Sequence, residues 1–96
     1  MIVTKKIKVG KKTVYAFCIK LCDKSLIVLK ASGGYIMCGY LNMKTATKFK
    51  EVAVKITGIS TIEQAVKAKA FAVSPEAKKL GIYKGQAIKE VLKIIA

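Results

Sequence analysis

Val3-Thr4-Lys5-Lys6-Ile7-Lys8-Val9, Gly10-Lys11-Lys12 and Thr13-Val14-Tyr15-Ala16-Phe17-Cys18-Ile19-Lys20-Leu21 are the stretch whose reading decides the fold. β-Branched and apolar residues recur on both sides of a glycine-lysine turn, and that spacing predicts a hairpin. Successive side chains of a strand point to opposite faces. The alternation therefore sets Tyr15, Phe17, Ile19 and Leu21 on one face and Val14, Ala16 and Cys18 on the other. With apolar residues on both faces the second strand reads as central, and Tyr15 and Phe17 as core.

The pattern continues outward from this hairpin. Leu26 to Ala31 predicts a third strand, Ser32-Gly33-Gly34 a turn, and Tyr35 to Cys38 a fourth strand, so the first half is an antiparallel meander. The second half changes rhythm. Asn42 is placed to cap a short helix with Met43, Ala46 and Phe49 inward. Val52, Val54 and Ile56 alternate as a fifth strand, and Ser60-Thr61-Ile62-Glu63 has the pattern of a capping box before Ile62, Ala65 and Val66. Lys69 to Val73 is a short sixth strand. Ser74-Pro75-Glu76 opens a helix that Gly81 stops, and Ile88, Val91, Leu92 and Ile95 form one stripe of a last helix. The expected fold class is α+β: an antiparallel or mixed sheet of about five or six strands with short helices, as one domain over residues 1–96.

Composition constrains function. The chain is 53% apolar, a high share for 96 residues, and small domains keep much of their surface exposed. Apolar groups left outside call for a covering partner, and a homo-oligomer, most simply a two-fold dimer, is expected. Nineteen basic residues against five acidic ones give a net charge of +14, and every basic residue is lysine. Without arginine there is no planar fork for guanine or carboxylate. Without histidine, Ser-His-Asp and Cys-His catalysis and imidazole metal sites are excluded. A lysine-only field attracts polyanions, so an anionic partner, non-specific nucleic acid included, is in view. Three cysteines and an opening Met1-Ile2-Val3-Thr4-Lys5-Lys6 unlike a secretory leader point to a cytoplasmic protein with free thiols. No apolar run approaches the ~18 residues of a membrane span.

Cys18 and Cys22, four apart on an extended strand, lie about 13 Å from one another, too far for a disulfide unless the chain turns there. Beyond them the chain offers a metal only Cys38 and a carboxylate, so neither a metal site nor a cofactor is expected. Cys38 follows a strand and precedes the Asn42 cap, where unpaired backbone N–H groups favour a thiolate. Gly39 leaves room for a ligand or a second backbone. The plainer reading is a buried cysteine followed by a glycine at a bend. Lys5, Lys6, Lys8, Lys11 and Lys12 crowd the first hairpin with no acid among them. They are candidate anion contacts, or else a solvated edge that prevents sheet-to-sheet aggregation.

The stretch Gly34-Tyr35-Ile36-Met37-Cys38-Gly39-Tyr40-Leu41-Asn42 resembles the central signature of the YunC-like family, small bacterial and archaeal proteins classed as a domain of unknown function. The similarity continues through Gly58-Ile59-Ser60-Thr61-Ile62-Glu63-Gln64-Ala65 and from Ser74-Pro75-Glu76-Ala77 to Leu80-Gly81-Ile82-Tyr83-Lys84-Gly85. The resemblance implies a compact α/β domain and no assigned activity. It draws attention to Cys38, Gly39 and Asn42 as ligand-binding candidates.

Two functional classes follow. One is a non-enzymatic, oligomeric binding domain that meets an anionic partner through its lysines. The other is a small enzyme or ligand-binding domain centred on Cys38-Gly39, which lacks a proton-transfer partner.

Overall fold

A computed structural model describes residues 2–39 and 42–96. Four strands come first: β1 (Ile2–Val9), β2 (Lys12–Leu21), β3 (Lys24–Ala31) and β4 (Gly34–Met37). They are joined by two-residue turns, since Val9 faces Lys12, Leu21 faces Lys24 and Ala31 faces Gly34. The antiparallel meander is thus present. Helix α1 (Met43–Lys48) then crosses over to β5 (Ala53–Lys55), which pairs parallel to β4. Helix α2 (Ile62–Lys67), β6 (Ala72–Val73), α3 (Pro75–Lys79) and α4 (Ile88–Ile95) complete the chain. β6 runs antiparallel to β5, giving one mixed sheet in the order β1-β2-β3-β4-β5-β6. The single-domain α+β architecture follows directly.

The core lies on one face of that sheet. Val14, Ala16, Ile27, Leu29, Ile36 and Val54 project there against Ile62, Ala65, Ile88, Val91, Leu92 and Ile95 of α2 and α4, all buried. Full burial of a Val, Leu or Ile side chain is worth ~1.5–3 kcal/mol, so these cross-layer contacts hold the helices on the sheet. Ala77 of α3 and Ile82 join the same cluster. The β3–β4 turn is tied to the end of α4 by Gly33 N–H donating to the Ile95 carbonyl at 2.7 Å. A Cβ on Gly33 would stand 2.8 Å from that oxygen, so only glycine lets the two backbones approach this closely.

The opposite face is covered at one end only. Ala46 of α1 packs on Ala53 with Tyr35, Met37 and Met43 around them. Across β1 to β3 no helix among the described residues lies over Phe17, Ile19 or Val28, which remain partly exposed, while Tyr15 is 48% exposed. Tyr15 and Phe17 are thus not core residues as their strand suggested. β2 lies between two strands but is covered on one face, because α2, α3 and α4 pack on the core side and α1 covers only the β4–β5 end of the other.

Local differences have similar causes. Phe49, expected on the inner face of α1, is its C-cap and is exposed. The cap of α2 is Thr61, whose hydroxyl accepts from Gln64 N–H at 3.1 Å, while Gln64 Oε1 accepts from Ser60 N–H at 2.7 Å. The reciprocal cap is shifted by one residue, and Glu63 is left free to reach Lys5 on β1. The sixth strand shortens to Ala72–Val73, with Lys69 making a separate bridge to Ala87.

Candidate functional site

The parallel pairing of β4 and β5 creates a corner that the meander lacks. Past the ends of these strands, Cys38 and Gly39 meet the loop Thr57-Gly58-Ile59-Ser60, and the β2–β3 turn with the start of β3 adds Asp23, Lys24 and Ser25. Together they line an open cleft of about 530 Å³. Ligands of α/β sheets often settle beyond the carboxyl ends of parallel strands, which is this location. The Cys38 side chain is buried. Its Sγ accepts from Ile27 N–H at 3.4 Å, and its thiol donates to the Ser25 carbonyl at 3.7 Å. Gly39 is exposed, and a Cβ there would meet no protein atom within 4 Å.

Cys38 and Gly39 therefore share the cleft, whereas Asn42 has a different task. Its Oδ1 accepts from Lys44 N–H at 3.0 Å and Thr45 N–H at 3.2 Å, capping α1. The cleft is completed by Asp23, Lys24, Ser25, Thr57 and Ser60, none of which the sequence marked as a site residue, Ser60 having been read only as a cap. The positive φ of 71° at Gly58 marks the loop that carries two of them. Chemically the corner offers hydroxyls, a thiol, one carboxylate and the ammonium of Lys24. Among the described residues no three of Cys, Asp and Glu converge.

The five lysines of the first hairpin do not share a plane. Alternation sends Lys5 toward the helix side, where it pairs with Glu63, and Lys6 and Lys8 toward the open side, opposite Tyr15 and Thr13. Lys11 lies in the turn and Lys12 opens β2. A second groove, about 660 Å³, runs between this hairpin and the helices. Ile7, Val9, Val66 and Leu92 form its floor, Lys12, Lys89 and Lys93 stand around it, and Lys8 borders it from the strand between Ile7 and Val9. Among the described residues no acidic side chain lines it. Lys89 and Lys93 were not anticipated, although their i, i+4 spacing beside Ile88 and Leu92 sets them along one flank of the apolar stripe.

Only two ion pairs form among the described residues, Lys5–Glu63 and Lys79–Glu76, both at the surface. Lys5 holds the Glu63 carboxyl below its usual range, chiefly through their hydrogen bond. At the covered end of the open face, Tyr35 donates to Glu51 Oε1 at 2.9 Å. Burial first, then that carboxylate, pushes the Tyr35 phenol up to about 12.

The family model described as Domain of unknown function (DUF1805) matches residues 37–95. That span takes in Cys38, Gly39, Asn42, Lys89 and Lys93 and omits the lysines of the first hairpin. The chain is also similar to TA1206, a protein of unknown function from Thermoplasma acidophilum. They share 35% identity and a TM-score of 0.95, over 100% of this chain and 94% of that one. No curated protein matches.

Proposed function

Because this chain belongs to the DUF1805 family, a domain of unknown function, its role has to be argued from its own residues, and we propose a non-enzymatic, oligomeric binding domain for an anionic partner. One observation carries the reading: of nineteen lysines, only Lys5 and Lys79 enter ion pairs among the described residues. The surface is a nearly uncompensated positive field, and Lys12, Lys89 and Lys93 stand around an apolar-floored groove. The stretch from Gly34 to Asn42 supports the finer YunC-like assignment, and three free thiols support a cytoplasmic setting. Among the described residues no helix is long and apolar enough to cross a membrane.

Self-association uses the open sheet face. Ile2, Ile19 and Leu26 form one cross-strand row, and Thr4, Phe17, Val28 and Met37 form the next. These two rows make an apolar patch on an antiparallel sheet face, with Lys6, Lys8 and Lys30 beside it, and such a patch is suited to a two-fold, face-to-face partner.

The two halves of this proposal respond oppositely to salt. Added salt screens repulsion between two +14 protomers and strengthens the dimer, whereas it displaces a bound polyanion. Sedimentation at rising salt is expected to show more dimer, and an Ile19→Lys variant a monomer. Binding to a polyanion such as heparin is expected to weaken over the same range. A monomer at all salt concentrations removes the dimer, and absent or salt-independent polyanion binding removes the anion-binding role.

A second reading places a small ligand in the Cys38-Gly39 cleft, favoured by its position beyond the parallel strands. Native mass spectrometry of the purified protein tests it. A retained mass that Cys38→Ser removes supports this reading, and no retained mass counts against it.

A further inference from the structure

Strand β1 ends the sheet, and its outer edge is bare. Among the described residues, Ile2–Val9 make no backbone hydrogen bond outside the β1–β2 ladder and none to a side chain. In an antiparallel pair, alternate residues of an edge strand turn their N–H and C=O outward. Eight residues of such backbone are a template for one more strand. Beside it runs the groove floored by Ile7, Val9, Val66 and Leu92.

We propose that this edge binds an extended polypeptide segment of alternating apolar and acidic residues, which adds to the sheet as a strand beside β1. The inference rests on the anion-binding role proposed above and names its partner. A strand laid against β1 turns every second side chain toward the helix side, where Ile7, Val9, Val66 and Leu92 receive apolar groups. Its intervening side chains fall on the open side, next to Lys6 and Lys8. Those two lysines are exposed, two residues apart and on one face of β1. Acids at every second position of the incoming strand repeat at the same ~6.8 Å, so each acid faces a lysine across the new pair. Lys89 and Lys93 on the groove wall add to the attraction.

Charge decides between an acidic partner and a second copy at this edge. Two β1 strands paired edge to edge would set Lys6 and Lys8 of both protomers against one another, and like charges directly opposite are destabilising. The lysines that guard the edge against self-pairing are the groups an acidic strand requires.

The test is fluorescence anisotropy with a labelled eight-residue peptide of alternating Val and Glu. Three comparisons go with it: the same peptide N-methylated at alternate residues, a charge-matched single-stranded oligonucleotide, and protein variants checked for fold by circular dichroism. The unmodified peptide is expected to bind, and methylation to weaken it about tenfold or more, because it blocks ladder hydrogen bonds and preserves charge. Lys6→Glu/Lys8→Glu is expected to weaken it similarly, and Lys78→Glu on α3 to leave it within about twofold. Equal binding of the methylated peptide, or tighter binding of the oligonucleotide, overturns strand addition and leaves the anion-binding role standing. Binding of no anion at all overturns both.

Discussion

Replacing Ser74 by Ala removes a hydroxyl on which three backbone groups converge. Ser74 is fully buried. Its Oγ accepts from Ala77 N–H at 3.2 Å as the cap of α3, accepts from Ala53 N–H at 3.0 Å on β5, and donates to the Glu51 carbonyl at 2.7 Å. Loss of a serine cap costs about 1 kcal/mol. The Ala53 N–H is then left buried without a partner, at ~1–3 kcal/mol. The sum is about 3 kcal/mol, and at ~4–8 °C per kcal/mol for a domain near this size the melting temperature falls by roughly 12–24 °C. Thr61→Ala is the comparison, since the exposed Thr61 hydroxyl caps α2 through one bond to Gln64 N–H. It is expected to cost ~0.5–1 kcal/mol. Urea denaturation with a common m-value measures both variants. If Ser74→Ala proves no more costly than Thr61→Ala, the Ala53 N–H is satisfied some other way and the reasoning fails.

Spectrophotometric titration of the tyrosines should show one phenol ionising near pH 12, and Tyr35→Phe should remove that step. A folded-state value raised above 10.0 favours the protonated phenol, so its stabilising contribution is full below pH 10 and is lost as pH rises through about 12. Thiol labelling of the native protein should follow exposure, with Cys22 first, Cys18 second and Cys38 last. Fast labelling of Cys38 would instead reveal an opened corner and favour the ligand-binding reading.

The sequence revealed the elements better than their layering. The alternation of β1 and β2, the glycine turn between them and the cap at Ser74-Pro75 are short-range signals, and each lies where its chemistry puts it. Whether an apolar strand face is covered is a question about distant residues. Tyr15 and Phe17 looked like core because nothing in β2 itself reveals that α2 and α4 lie on the Val14-Ala16 side alone. The cleft was half legible for the same reason. Cys38 and Gly39 are adjacent in sequence, but Asp23, Thr57 and Ser60 join them only through the β2–β3 turn and the parallel β4–β5 pair. The groove likewise needed α4 to return beside the first hairpin before Lys89 and Lys93 could lie near Lys12.

Coverage of a single face, combined with lysine at the edge, also bears on how far association can proceed. Helices α2, α3 and α4 close the core side of the sheet and α1 covers only the β4–β5 end of the other, so the Phe17-Ile19-Val28 region is open for stacking. A face-to-face contact is isologous and consumes both open faces at once, leaving none for a third copy. In-plane pairing of two β1 edges would set Lys6 and Lys8 against their own kind. The residues that make the surface basic thus favour a closed dimer over an open-ended stack, and they leave the β1 edge to a partner of opposite charge.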